Sequence, residues 1–291
     1  MLIQEKLDVT PFPPSEQVIV DFIKKEKFNI EHLSTAEIAK LTFNSKSTLV
    51  KFAKRLHFKG WIDFRTAYLE ELSYLEQSKK MIDANLPFEK NDHLLTIANK
   101  IATVKQEAIQ DTLSLLNNET IQKATDLLNA AETIHIIAVT NNLLLANEFQ
   151  YNMMRINKRV CVHALQGEGI LASTMSTYKD CVIVISYSGE TGSIRPMVLN
   201  FYRQNVPIIL ISHFGESSFS RVADVHIKMS TRERLYSKIA TFANDASIAY
   251  LLDLLYSVVF VKQYERNLEY RTRHSERFET TRRSKDSYLK Q

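Results

Sequence analysis

A chain of 291 residues has room for about two domains. Its 45% hydrophobic and 24% charged residues are ordinary globular usage, which argues against a disordered or low-complexity chain. With only 6 Gly, and neither GxGxxG nor GxxxxGK[ST] present, Walker-type NTPases and simple dinucleotide enzymes are disfavoured. The net charge of +4 is unevenly spread: Lys40 to Arg65 holds seven basic residues against the single acid Asp63, and Lys262 to the end holds nine against five, so the rest of the chain is acidic.

The first residues place Glu5, Lys6 and Asp8 where a signal core would need apolar side chains. From Ser15 to Lys25, Val18, Ile19, Phe22 and Ile23 recur at helical spacing. Ser34-Thr35-Ala36-Glu37 is a capping box, and the short helix it opens runs through Ile38 and Leu41. Thr42-Phe43-Asn44 makes a turn in which Asn44 is expected to take the left-handed conformation. Ser45 caps a third helix whose inward face is Leu49, Phe52, Ala53 and Leu56. Two short helices joined by a tight turn make a helix-turn-helix. Ser45, Lys46, Ser47 and Thr48 then stand where base edges are approached, while Lys51, Lys54, Arg55 and Lys59 suit phosphates, so double-stranded operator DNA is the expected partner.

The run from Ser34 to Arg65 resembles the N-terminal domain of the RpiR/MurR family of bacterial transcriptional regulators, through Ser45, Phe52, Leu56, Phe58, Gly60 and Trp61. It departs from that pattern at His57, where Gly is usual, and at Asn44. Gly60 is expected to cap the helix end and Trp61 to anchor packing, with no DNA contact from either.

Pro87 and the loss of periodicity near Ser78 to Asp92 mark a boundary. The expected organisation is a helix-turn-helix domain over 1–77, a linker over 78–105, an α/β/α domain over 106–264 and a basic tail over 265–291. Helical patterns cover Asp92 to Leu116 and Glu119 to Ala131. Five short β-branched runs then alternate with helix-length segments: Thr133 to Val139, Val160 to Leu165, Cys181 to Tyr187, Pro207 to Ser212 and Val225 to Met229. That alternation predicts a parallel sheet covered on both faces, with ligands bound at the carboxyl ends of the strands. Ile248 to Val261 is apolar all round, too short to span a bilayer, and expected to be a core helix that contributes to a subunit contact; Asp253 within it is expected to be buried.

Between the third run and its helix lies Ser186-Tyr187-Ser188-Gly189-Glu190-Thr191-Gly192. Its hydroxyls, a permissive Gly and the amides of a helix start can hold a phosphate without any Lys, although a plain Ser-rich turn has the same composition. The loop resembles the phosphosugar-binding loop of SIS (sugar isomerase) domains, which follow the helix-turn-helix in RpiR/MurR regulators. The resemblance implies that Ser186, Ser188, Gly189 and Thr191 line a phosphosugar site. It also implies a Gly-x-Gly-x-Ser turn after the first strand; here Ala138-Val139-Thr140-Asn141-Asn142 has lost both glycines and puts Asn142 at the Ser position.

His163, Glu168, Glu190 and Glu233 are the candidate bases for an SIS-type aldose-ketose isomerase, but they form no recognisable constellation, and His135 reads as a core residue. Cys161 and Cys181 make no disulfide framework, and no His/Cys cluster has zinc spacing. The expectation is a cytoplasmic, non-enzymatic regulator with no metal and no cofactor, a homodimer or homotetramer without membrane contact. The alternatives are an SIS-type aldose-ketose phosphosugar isomerase with an accessory DNA-binding domain, and a regulator whose SIS domain only dimerises.

Overall fold

A computed structural model describes residues 2–78 and 81–278. The chain divides into two compact units, residues 1–81 and 82–291.

In the first unit, α1 (Ile3–Val9) and α2 (Pro14–Glu26) are followed by a 3₁₀ turn at Lys27–His32, then α3 (Thr35–Leu41), α4 (Lys46–Arg55) and α5 (Trp61–Ser78). Their apolar faces close over Ile19, Ile23, Ile38, Leu49, Phe52 and Phe64. The aromatic centre is tightly geared: the Phe52 and Phe64 rings meet edge to face at 5.2 Å, and Trp61 lies 5.4 Å from Phe64. On α2 the helical stripe runs through Ile19, Val20 and Ile23, leaving Val18 44% exposed, so the stripe is turned by one position from the expected one. The helix α1 carried no sequence signal strong enough to announce it. It is held from α5 by the buried Glu71, whose carboxylate accepts from the Ile3 and Gln4 amides at 2.5 and 2.9 Å.

Two helix ends differ from expectation in the same way. After α3 the left-handed residue is Phe43 (φ 54°), not Asn44. The Phe43 amide donates to Lys40 O and the Asn44 amide to Ala39 O, a Schellman ending that places the positive φ one residue earlier. After α4 the left-handed residue is His57 (φ 71°), and Phe58 N donates to Ala53 O, so His57 and not Gly60 terminates that helix. Gly60 instead precedes α5 and accepts from the Phe64 amide. Each such non-glycine residue costs roughly 1 kcal/mol of backbone strain.

In the second unit, α6 (Leu94–Ser114) and α7 (Asn118–Ala130) lead into β1 (Ile134–Ile137), α8 (Asn142–Met154), β2 (Val160–Val162), α9 (Gln166–Met175), β3 (Cys181–Ile185), α10 (Arg195–Arg203), β4 (Ile208–His213), β5 (Val225–Met229), α11 (Phe242–Val261) and α12 (Tyr264–Phe278). The five strands form one wholly parallel sheet in the order β2-β1-β3-β4-β5. Ile134, Ile136, Ile183 and Ile211 face α7, α8 and α11; Ile137, Val184 and Leu210 face α10 with Phe201. Covering both faces is why the central strands β3 and β4 read as nearly continuous apolar runs, whereas the edge strand β5 alternates. The second unit is the expected α/β/α sandwich, and the first is the expected all-α helix-turn-helix unit.

The helix α6 runs through the expected linker end at 105 and is part of the core: Val104 and Ala108 are buried against Ala243 of α11, and Asp111 accepts from the Ser230 hydroxyl at 2.7 Å. The apolar helix α11 begins at Phe242, six residues before the expected start, and at 20 residues is long and apolar enough to cross a membrane by length and composition. Its Ile248, Leu251, Leu255 and Val259 are buried in the sheet's core. Asp253 is exposed, not buried, because the helical period puts it on the opposite stripe. Of the expected basic tail, residues 279–291 lie outside the described residues.

His226 on β5 tests this packing. Burial, with Lys228 and His213 nearby, pushes its imidazole down to about 4, and its Nε2 lies 2.8 Å from the Ser212 hydroxyl. Between pH 6.5 and 4 the unfolded chain therefore binds more protons, and stability falls as pH is lowered through that window. A shift of that size corresponds to a loss on the order of 3 kcal/mol. Denaturant melts across this range should show it, and His226→Gln should flatten part of the slope, leaving the remainder to His135 and His163, which burial also holds low.

Candidate functional site

The first candidate surface is built on α4. Ser45 accepts the Thr48 amide at 3.1 Å and its hydroxyl also lies 2.6 Å from that of Ser47, so the start of the helix is fixed by its own side chains. The preceding helix is fixed in the expected capping box, Ser34 and Glu37 each accepting the other's amide. Asn44 ties the turn between them, donating to Ser15 O on α2 at 2.9 Å and to Thr42 O at 2.8 Å. Lys46, Ser47, Lys51, Lys54 and Lys59 are exposed and Thr48 half-buried, while Leu49, Phe52 and Ala53 are buried beneath them. Arg55 stands apart from this set. Its guanidinium grips the buried Glu16 carboxylate of α2 at 2.7 and 3.3 Å, a bidentate tie between helices.

The second candidate surface follows from strand order. The chain leaves β1 toward β2, then crosses back to place β3 on the other side of β1, so the loops after β1 and β3 diverge and leave a crevice at their carboxyl ends. Ser186, buried, directly follows β3, with its hydroxyl 2.8 Å from that of Thr191. Ser188 accepts the Glu190 amide at 3.2 Å, and the Gly189 amide closes a turn onto Ser186 O. Among the described residues, the amides of Ser188, Thr191 and Gly192 donate to no protein acceptor. Three amides and three hydroxyls in one short turn are a set of neutral donors suited to an anion.

Gly189 has a positive φ of 63°, and a Cβ there would come within 2.5 Å of Ser217 Cβ. The Ser217–Ser220 turn is drawn against it by Glu190, whose carboxylate accepts the Ser218 amide at 2.5 Å and hydroxyl at 2.6 Å. Burial opposes the charge on Glu190, but the two Ser218 hydrogen bonds outweigh it and hold the carboxyl below its ordinary range. Glu190 is therefore a loop clamp.

Across the crevice, Thr140 takes φ 54° where the Gly-x-Gly-x-Ser pattern has its second Gly, so the backbone keeps the glycine's shape without the glycine. Asn142 is the half-buried first residue of α8. Its neighbour Asn141, which the sequence did not single out, donates to Thr241 Oγ1 at 3.0 Å and Asp245 Oδ1 at 2.6 Å, fastening this loop to the start of α11. Only the fold brings residues a hundred positions apart to that spot.

Two of the remaining candidate bases, Glu233 and His163, are engaged by other residues. Glu233 is buried and accepts the Ala243 and Asn244 amides at 2.7 and 3.0 Å while paired to Lys238 at 2.8 Å, so it caps α11. His163 Nε2 lies 2.9 Å from His135 Nδ1, whose other nitrogen is 3.1 Å from the Ser176 hydroxyl. Glu168 is exposed on α9. No group of His, Cys, Asp and Glu able to hold a metal occurs among the described residues. A hollow of about 670 Å³ between α7 and the α11–α12 junction is lined by Lys158, but that ammonium is spent on Asn129 O and Ala131 O.

The Gly189 geometry gives a direct check. Gly189→Ala should destabilise the protein by about 2 kcal/mol, through its backbone conformation and the collision with Ser217, read as a drop of several degrees in the thermal midpoint.

Residues 2–74 match the helix-turn-helix domain of the rpiR family, and residues 127–251 match the SIS domain. The HTH-type transcriptional regulator YbbH of Bacillus subtilis is 26% identical over 261 residues, covering 89% of each chain. The structure of Vibrio vulnificus NanR complexed with ManNAc-6P matches 97% of this chain and 99% of its own, with TM-score 0.61 at 19% identity. The sugar isomerase domain of an RpiR transcription factor from Sphaerobacter thermophilus matches 62% of this chain and 99% of its own, with TM-score 0.54 at 18% identity. The chain is thus an HTH-type transcriptional regulator in which an rpiR-family helix-turn-helix domain precedes an SIS domain.

Proposed function

We propose that this regulator senses a phosphosugar in the crevice between β1 and β3 and couples its occupancy to operator binding by α4. The observation that carries the reading is the set of unpaired amides at Ser188, Thr191 and Gly192 beside the Ser186–Thr191 hydroxyl pair. Ser186, Ser188 and Thr191 donate to the phosphate, Gly189 lets the backbone approach it, and Asn142 donates from the opposite loop. That NanR is solved with ManNAc-6P supports a sugar phosphate as the ligand class. Commitment of Glu190, Glu233 and His163 to structural bonds favours sensing over isomerisation.

On the DNA side, Ser45, Lys46, Ser47 and Thr48 approach base edges, and Lys51, Lys54 and Lys59 meet phosphates. Arg55 is a positioning residue, because its guanidinium is already engaged by Glu16. The regulator acts in the cytoplasm as a homodimer or homotetramer, since a two-fold operator matches two-fold protein. The effector works by binding the DNA-competent and DNA-incompetent arrangements unequally.

Ser188→Ala should keep operator binding but weaken sugar-phosphate binding roughly ten- to hundred-fold, as expected for one lost hydrogen bond to a charged group. Titration calorimetry against a panel of sugar phosphates and their unphosphorylated sugars measures this; a wild-type response to neutral sugars overturns the phosphate cradle, and turnover of any panel member overturns sensing in favour of catalysis. Lys51→Ala should lower the salt slope of DNA affinity by about one unit without changing the melting temperature. Arg55→Ala should lower the melting temperature, because it strands the buried Glu16 carboxylate.

A further inference from the structure

Phe43 is 96% exposed in the turn between α3 and α4, and its backbone is held at φ 54°. A lone exposed apolar side chain is ordinary, but this one is disfavoured twice over. It gains no burial, and it occupies a left-handed helix end that Gly or Asn fills with less strain. Its position is also fixed. Asn44 pins the turn to Ser15 O and Thr42 O, and Thr42 Oγ1 donates to Ile38 O at 2.7 Å, so the backbone that carries the ring is held in place.

The ring stands two residues before Ser45, at the amino end of α4 that carries Lys46, Ser47 and Thr48. From Lys40 to Trp61 the chain holds basic residues and no acid, a charge pattern that selects a polyanion as the body meeting this surface. On the major-groove edges of the bases, the C5 methyl of thymine is the apolar group. We propose that Phe43 is a specificity-determining residue that packs on a thymine methyl beside the bases approached by the start of α4. The inference rests on the assignment of α4 to DNA.

The test uses the full chain and a duplex enriched from a random library by the wild-type protein. Phe43→Gly should leave the melting temperature unchanged or raised, because it relieves the left-handed strain, yet lower affinity for that duplex roughly three- to tenfold. Replacing thymine by deoxyuridine in the duplex should weaken the wild type by a similar factor and leave Phe43→Gly unaffected. Phe43→Gly binding as tightly as wild type, or deoxyuridine weakening both proteins equally, overturns the proposal while leaving α4 in place if Lys51→Ala still weakens binding. If the wild type enriches no sequence at all, the α4 assignment fails and the Phe43 contact with it.

Discussion

The buried Glu233 carboxylate organises the second unit. One oxygen accepts two amides at the start of α11 and the other pairs with Lys238, so its charge is answered both by the positive end of a helix and by an ammonium. Its backbone oxygen accepts the Tyr187 hydroxyl at 2.6 Å, which reaches over from the loop after β3. The same helix start holds Asn141 through Thr241 and Asp245. Both walls of the crevice are therefore referenced to the first turn of α11, and that turn is referenced to Glu233.

The two units solve opposite electrostatic problems. The α4 surface presents long, solvated ammonium groups on flexible stems, suited to a repeating polyanion whose phosphates are many and exposed. The crevice presents short, fixed, neutral donors, suited to one small dianion whose charge is met by direction more than by opposite charge. A buried lysine in the crevice would bind anions of many shapes; hydroxyls held to one another at 2.8 Å accept far fewer.

The sequence announced what depends on period and local bonding. All five strands, the Ser34 capping box and the inward face of α4 are local patterns, and each was legible from residue spacing. The hydroxyl loop was legible because its chemistry is contiguous. What escaped were features decided by distant partners. The helix α1 depends on Glu71 from α5, and the engagement of Arg55 depends on Glu16 from α2. The roles of Glu190 and Glu233 depend on turns that only folding brings near. The left-handed residue after α3 was misplaced by one because composition favours Asn for that conformation, whereas the hydrogen-bond count of the helix end decides which residue must adopt it.

Thr140 and Gly189 face one crevice with opposite histories open to them. At 140 the left-handed backbone carries a side chain, whose hydroxyl donates to Val139 O at 2.8 Å. At 189 both the backbone and the space against Ser217 exclude any side chain, so exchange there requires Ser217 to change as well. One wall of the crevice therefore admits a side chain at its left-handed position. The other wall admits none while Ser217 keeps its place.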